Sequence, residues 1–313
     1  WTRDDDIRND FYRQGGTHEL VAGLDDRGKV MAWSQRLASG SKYYRRPNMP
    51  DEDLWKAELY PDDFPKAMVE NFRLEYFHNA IGIPRGSWRG PAHVVNAFVI
   101  QSFLDEIAHE TGQDALALRL ELLGQVEEQD YSNHGGPKMT PGRLSRLLKF
   151  VAERIDYGKE RPKGRGVGIA THFTFGGYAA HAIEVSVSNK GELTIERIVA
   201  AIDCGFAVNP NAVDAQLQGG TIDGLSTALE LEITVRDGQV EQKNFNNYPL
   251  MKIESVPALF ETHVMNYDDS PTGVGEIPVP PAAPALTNAI FDATGVRIRR
   301  LPIADQLRKA MSS

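Results

Sequence analysis

Three separated stretches carry side chains whose types and spacing could do chemistry. The first is Pro271-Thr272-Gly273-Val274-Gly275-Glu276-Ile277-Pro278, where two glycines flank a valine and then deliver one carboxylate. Glycine permits a close approach that a Cβ would block, so Gly273 and Gly275 suit a loop pressed against a ligand. Pro278, Pro280 and Pro281 lack the N–H donor, so the run cannot continue a strand ladder. Glu276 is thereby held between a flexible pair and a stiff run, as a fixed acid or base must be. Taken alone, the eight residues read more readily as a surface loop with a solvated Glu. The second stretch, Ser87-Trp88-Arg89-Gly90-Pro91, sets a permanently charged guanidinium with several donors beside an indole. The third runs from Asp203-Cys204-Gly205 through Asn209-Pro210 to Gln216 and Gly219-Gly220. An amide at Gln216 can donate and accept at once, and the glycines would let its helix approach closely.

Composition bounds what these residues can serve. A chain of 313 residues, 41% hydrophobic and 25% charged, buries a substantial core as one large domain or two smaller ones. No run of about 18 apolar residues occurs, so no transmembrane segment is expected. A net charge of −9 argues against a nucleic-acid partner, which demands clustered Lys and Arg. One cysteine, Cys204, excludes an internal disulfide, a four-thiolate iron–sulfur cluster and a cysteine-based zinc site. Any electrons handled here must leave through another chain.

The elements that position the three stretches can be read in order. His18–Leu24 and Lys29–Trp33 flank Asp25-Asp26-Arg27-Gly28 as a hairpin, and Asn71–Phe77 reads as a strand leading to the Arg89 loop. Val95, Val99, Phe103 and Ile107 lie four apart on a helix that stops at Gly112, beside Val94 and Phe98. Asp114 caps a second helix, and Thr140 with Pro141 opens a third bearing Leu144, Leu147, Leu148, Val151 and Ile155. The loop between them holds His134, read as solvated. Lys159–Gly168 is basic and glycine-rich but lacks the strand–helix context of a phosphate loop, and reads as a linker. Ala182–Ser188 and Leu193–Val199 alternate about Asn189-Lys190-Gly191, a helix follows Asn209-Pro210, and a second hairpin turns on Asp237-Gly238 between 231–235 and 239–245. Ala285–Phe291 is a short helix stopped by Gly295. Sheet and helix blocks without regular βαβ repeats indicate an α+β fold, divided as residues 1–160 and 161–313. His93, His172 and His181 lie near the motifs, yet no pair has the spacing of a zinc-binding helix, and each reads as structural.

Together the motifs resemble the molybdenum hydroxylases, the xanthine dehydrogenase and aldehyde oxidoreductase family. Gly273-Val274-Gly275-Glu276 ahead of Pro280-Pro281-Ala282-Ala283 is similar to that family's active-site loop, and Trp88-Arg89-Gly90 to its aromatic-Arg-Gly loop. Asp203 to Gly220 is similar to its Asp-x-Gly…Asn-Pro…Gln-x-x-Gly segment. The start Trp1–Asp6 with Phe11-Tyr12-Arg13, and the end Arg297–Pro302, resemble the branch of isoquinoline 1-oxidoreductase beta subunits and membrane-associated aldehyde dehydrogenases.

The resemblance implies a molybdopterin cofactor, in bacteria often the cytosine dinucleotide, with no direct metal ligand from this chain. It implies Glu276 as general base on a molybdenum-bound hydroxide, and burial in an apolar loop would raise a Glu toward its working range. Arg89, Gly90, Gln216, Gly219, Gly273, Val274 and Gly275 would bind cofactor; Trp88, Pro91, Phe175 and Tyr178 would line the substrate pocket. Pro91 stands where purine-oxidising members place a Phe, which counts against a purine. Gly177 replaces a Ser in the branch's Phe-Gly-Ser-Tyr segment. The substrate would be an N-heterocyclic aromatic or an aldehyde, and the partner a small subunit with two [2Fe–2S] clusters. Opening at Trp1, the sequence reads as a cut or mature product, and its Glu-x-Gly-Gln-Gly segment, an export signal and roughly half of the subunit would lie upstream. A periplasmic, membrane-associated location follows from the same branch. The alternatives are an inactive fragment serving only in binding or assembly, and a metal-independent hydrolase using Glu276, for which a nucleophile elbow is missing.

Overall fold

The computed structural model describes residues 1–131 and 138–312. His134 and its loop therefore lie outside the described residues. The frame of the molecule is a four-stranded sheet of β4 (Arg165–Thr174), β5 (Gly177–Val187), β6 (Leu193–Asp203) and β9 (Leu259–Met265), in that order. β4–β5 and β5–β6 pair antiparallel, and β6–β9 parallel. A smaller sheet joins β1 (Gly16–Leu24), β2 (Val30–Ser39) and β3 (Asn71–His78), antiparallel and then parallel. Between the sheets in sequence come α2 (His93–Thr111), α3 (Ala115–Leu123) and α4 (Pro141–Arg154); α5 (Pro210–Leu229) bridges β6 and β9, and α6 (Ala282–Thr294) follows. Short elements complete the chain: α1 (Arg3–Arg8), the two-residue strands β7 (Val235–Arg236) and β8 (Gln239–Val240), and α7 (Gln306–Ser312).

Strand alternation divides the core in two. Val167, Ile169, Phe173, Tyr178, Ala180, Ala182, Val199 and Ala201 face a cluster that includes Leu144, Leu147, Leu148 and Val151 of α4. Ala170, Ala179, Ile183, Val185, Ile198, Ala200 and Ile202 face Leu217 and Leu225 of α5 and Ala285, Leu286 and Ala289 of α6. Residues on both sides of position 160 thus share one core. A sheet buried on both faces explains why its strands read as nearly continuous apolar runs.

Several elements differ from the sequence reading. The basic glycine-rich segment is not a linker throughout, because β4 begins at Arg165. A Cβ on Gly168 would lie 2.2 Å from both Ala285 O and Ala289 N, and one on Gly166 2.3 Å from Ala293 N. These glycines seat α6 against the strand. α6 also begins at Ala282, three residues earlier than expected, and the 231–245 hairpin shrinks to β7 and β8. β9 went unread because its residues are only half-buried or exposed and alternate weakly. On α2 the buried face is wider than the predicted stripe. Val94, Ala97, Phe98, Ile100, Leu104 and Ile107 are buried, whereas Val95, Val99 and Phe103 are half-buried. Thr140 does not cap α4 with its side chain; its N–H donates to Tyr178 Oη at 2.9 Å.

Candidate active site

The Glu276 loop is built into the molecule at three points. Thr272 N–H donates to Cys204 O at 3.0 Å, and Val279 N–H to Glu276 O at 3.1 Å. Ile277, 1% exposed, lies against Gly177, where an added Cβ would meet its Cδ1. Pro278 lies against Gly220 of α5, whose Cβ would come within 2.8 Å of the ring. The Asp203-Cys204-Gly205 motif forms the base of this arrangement. Asp203 takes two hydrogen bonds from the Arg143 guanidinium and accepts Gly205 N–H at 3.1 Å, while burial pushes the Cys204 thiol up. Asn209 caps α5 by accepting Ala212 N–H at 3.2 Å, and the helix carries Gln216 toward the loop.

Arg89 ties these segments together. Its Nε donates to Gly275 O, its Nη2 to Gln216 Oε1 at 2.9 Å, and its Nη1 lies 3.5 Å from Asp223 Oδ2. Gly90 N–H donates to Glu276 Oε1 at 3.0 Å. Residues 127 and 186 positions apart in sequence therefore meet in one cluster. Gly90 and Ala92 both hold positive φ, 73° and 60°, so the segment leaving Arg89 is sharply bent, and at Ala92 the bend opposes intrinsic preference.

The cluster is open. Glu276, Arg89 and Trp88 are half-buried, and Gln216 and Gly219 exposed. Among the described residues no apolar enclosure of the expected kind surrounds Glu276: Val274 packs against the core, and Pro278 and Pro280 cover Gly220 and Gly90 instead. Phe175 is exposed at the β4–β5 turn with φ 49°, on the segment that touches Ile277. Tyr178 does not line the cluster. It is 1% exposed, accepts Thr140 N–H and lies under the Arg143 guanidinium, 4.4 Å from its ring centroid. Pro91 is half-buried, and its carbonyl accepts Tyr60 Oη–H at 3.0 Å.

Two participants escaped the sequence reading. Asp223 follows Gln216 and Gly220 at helical spacings of four and three, a stripe that could have revealed it. Arg13 donates from Nη2 to Arg89 O at 3.0 Å, and burial pushes its guanidinium down to about 10. No local signal marks that contact, because it joins distant parts of the chain through the fold.

A cofactor-sized polar group fits this rim. A Cβ on Gly219, Gly273 or Gly275 would touch nothing within 4 Å. Among the described residues, no hydrogen bond uses the N–H groups of Gly273, Val274 and Gly275 or the amide nitrogen of Gln216. Trp88 Nε1 is buried without a hydrogen-bond partner there. Consecutive unused donors beside Arg89 suit an oxygen-rich ligand.

Comparison with known proteins finds relatives across the whole chain. The molybdopterin cofactor-binding domain family matches residues 147–257, which include Gln216 and Gly219. The chain is similar to the molybdenum hydroxylases. It is 32% identical to a nicotinate dehydrogenase subunit of Pseudomonas putida, over 72% of this chain and 20% of that one. It is 27% identical to the beta subunit of isoquinoline 1-oxidoreductase of Brevundimonas diminuta, over 100% of this chain and 39% of that one. The chain thus spans at most about two fifths of these relatives' length. Quinoline 2-oxidoreductase from Pseudomonas putida 86 superposes with a TM-score of 0.77 at 12% identity, over 99% of this chain and 64% of that one. Aldehyde oxidoreductase from Desulfovibrio gigas gives 0.74 at 13%, over 100% and 51%. At these identities the likeness is one of fold, and it is the α+β fold of the family.

Proposed function

We propose that this chain is the C-terminal part of a molybdopterin-binding subunit that hydroxylates an N-heterocyclic aromatic compound or oxidises an aldehyde, with Glu276 as general base. The observation that carries the reading is the meeting of Glu276, Arg89 and Gln216 around a rim of unused donors. The names of the relatives, which include nicotinate, isoquinoline and aldehyde enzymes, support the substrate classes. Arg89, the Gln216 amide and the N–H groups of residues 273–275 would hold the cofactor, with Gly219 leaving room for it. When bound, the molybdenum centre supplies the oxygen transferred and accepts the substrate's two electrons.

The chain's own residues do the rest. Gly90 N–H fixes Glu276 Oε1, leaving Oε2 to take up a proton during attack. Arg89 holds the loop by its Gly275 contact, so the base stays positioned by the residue that faces the cofactor. Pro91 offers no ring to stack on a purine, which counts against a purine substrate. Trp88 and Phe175 would contribute the remaining aromatic surface on this chain. The cytosine dinucleotide form, a [2Fe–2S] partner subunit, completion of the site by the upstream part of the same polypeptide and a periplasmic location belong to the same reading.

The test is Glu276→Gln in the complete, cofactor-loaded enzyme. Turnover should fall by about 10²–10⁴ with molybdenum content unchanged. Full turnover in the metallated variant would overturn the general-base role. A complete subunit that takes up no molybdenum would overturn the cofactor reading and leave only a role in assembly.

A further inference from the structure

Close in sequence to the Arg89 loop, at the start of α2, three buried side chains converge. His93 opens α2 three residues after Gly90, His172 lies on β4, and Asp63 lies within the irregular segment before β3; their exposures are 0%, 5% and 4%. His93 Nδ1 and His172 Nε2 are 3.0 Å apart. With a carboxylate oxygen of Asp63, the three potential ligand atoms all lie within 4.8 Å of one another.

We propose that His93, His172 and Asp63 form a structural site for a zinc-class divalent cation that pins the Arg89 loop to β4. The donor set is two imidazoles and one carboxylate, which suits zinc or its first-row neighbours. Magnesium and calcium would demand six or more oxygens. Metal–ligand bonds near 2.0–2.1 Å at tetrahedral angles place ligand atoms about 3.3 Å apart, close to the observed imidazole pair. A carboxylate oxygen of Asp63 lies within 4.8 Å of that pair.

Charge points the same way. The groups acting on Asp63 are the Tyr131 hydroxyl, which donates to Oδ1 at 3.1 Å, the Phe64 N–H and the Asp62 carboxylate. None is a cation. Asp63 Oδ2 is buried with no hydrogen-bond partner among the described residues. A carboxylate so placed is costly unless a positive charge reaches it. A cavity of about 10 Å³, room for roughly one water, borders Asp63, Tyr60 and Asn96. Water there satisfies hydrogen bonds and can complete a coordination shell, yet brings no charge. Aromatic rings close the surroundings: Tyr60 and Phe175 lie 4.5 and 4.7 Å from His93 by ring centroid. This apolar shell would hold a cation tightly once bound and slow its exchange.

The position gives the site a purpose. Ala92, with φ 60°, separates His93 from the residues that contact Glu276. A cation at His93 would lock that bend and so fix the Gly90 N–H against the carboxylate. The expected metal is distinct from molybdenum, and its detection needs no turnover.

The full chain, incubated with zinc and dialysed against metal-free buffer, should retain about one zinc per chain by elemental analysis. With cobalt(II) it should show the visible absorption bands of a four-coordinate N/O site. Asp63→Asn and His172→Gln should each lower retained zinc at least tenfold and remove the cobalt bands, with circular dichroism reporting that they fold. Zinc should also raise the parent's Tm and not theirs. Should a variant fail to fold, the parent's zinc absorption-edge fine structure decides, since two imidazoles and one carboxylate are expected. A folded parent that keeps no zinc, or folded variants that bind as much as the parent, would overturn the site and leave a hydrogen-bonded histidine cluster. Neither result bears on the molybdenum reading.

Discussion

Gly168 and Gly275 sit in opposite surroundings. At Gly168, α6 comes so close that a methyl group would meet two backbone atoms at 2.2 Å; at Gly275 the same methyl would meet nothing. The contrast extends to whole regions. The β4–β5–β6 sheet is filled on both faces, whereas the rim formed by Gly219, Gly273 and Gly275 borders open space. The same residue type serves contact in one region and vacant volume for a ligand in the other. Substitution should therefore separate the two, through stability in the first and ligand capture in the second.

The largest effect should come from Gly168→Ala, which forces backbone apart and should cost at least about 3 kcal/mol in urea unfolding. A loss under about 1 kcal/mol would mean that α6 is not seated as described. Arg143→Met should cost about 2 kcal/mol, because Asp203 is left buried without its partner while Arg143 itself retains some solvent contact. That variant should also loosen the 269–272 segment, which rests on the same residues.

The sheet region should also respond to acid through His181. Burial holds this imidazole down to about 3, below its ordinary 6.5. Thr221 Oγ1 donates to Leu217 O and so accepts from His181 Nε2 at 2.7 Å, which places the next proton on Nδ1, buried without a partner. Folded-state pKa lies below unfolded, so the unfolded state takes up the proton first. Stability is present above pH 6.5 and is lost as pH falls toward 3, by up to about 1.4 kcal/mol per unit. Glu58 and Asp63, raised to about 6 and 7, push in the opposite direction. The informative quantity is therefore a difference: His181→Gln should remove about 1 kcal/mol of the change between about pH 6.5 and 5.5 in guanidinium melts.

The smallest effect on stability should be at the rim. Gly219→Ala lies in a helix facing open space, so it should stabilise by up to about 1 kcal/mol. Cofactor affinity should fall roughly tenfold if the methyl enters the cofactor's volume. Equal affinity would mean that Gly219 does not border the cofactor.

Local signals were enough for much of this arrangement. The β1–β2 hairpin, the helices stopped by Gly112 and Gly295, and the Asn209 cap could be read because each depends on residues within a few positions. Periodicity failed where burial is two-sided or slight. It misplaced the buried face of α2 and passed over β9, whose partner β6 is more than fifty positions away. Gly166 and Gly168 read as flexible in sequence because the helix they seat lies about 120 residues on. The motif Asp203-Cys204-Gly205 was legible as a motif, while its work, holding the base of the Glu276 loop through Arg143 and Thr272, was not.

The sequence by itself determined the α+β character, the family resemblance and the short motifs, since these depend on residue type and near neighbours. Tertiary structure alone decided that Arg89 bridges Gly275 and Gln216, that Tyr178 belongs to the core, and that Asp63 reaches His93 and His172. Those outcomes depend on contacts between residues tens to nearly two hundred positions apart. Only the completed core fixes such contacts, because burial on both faces of one sheet sets where every loop at its rim must end.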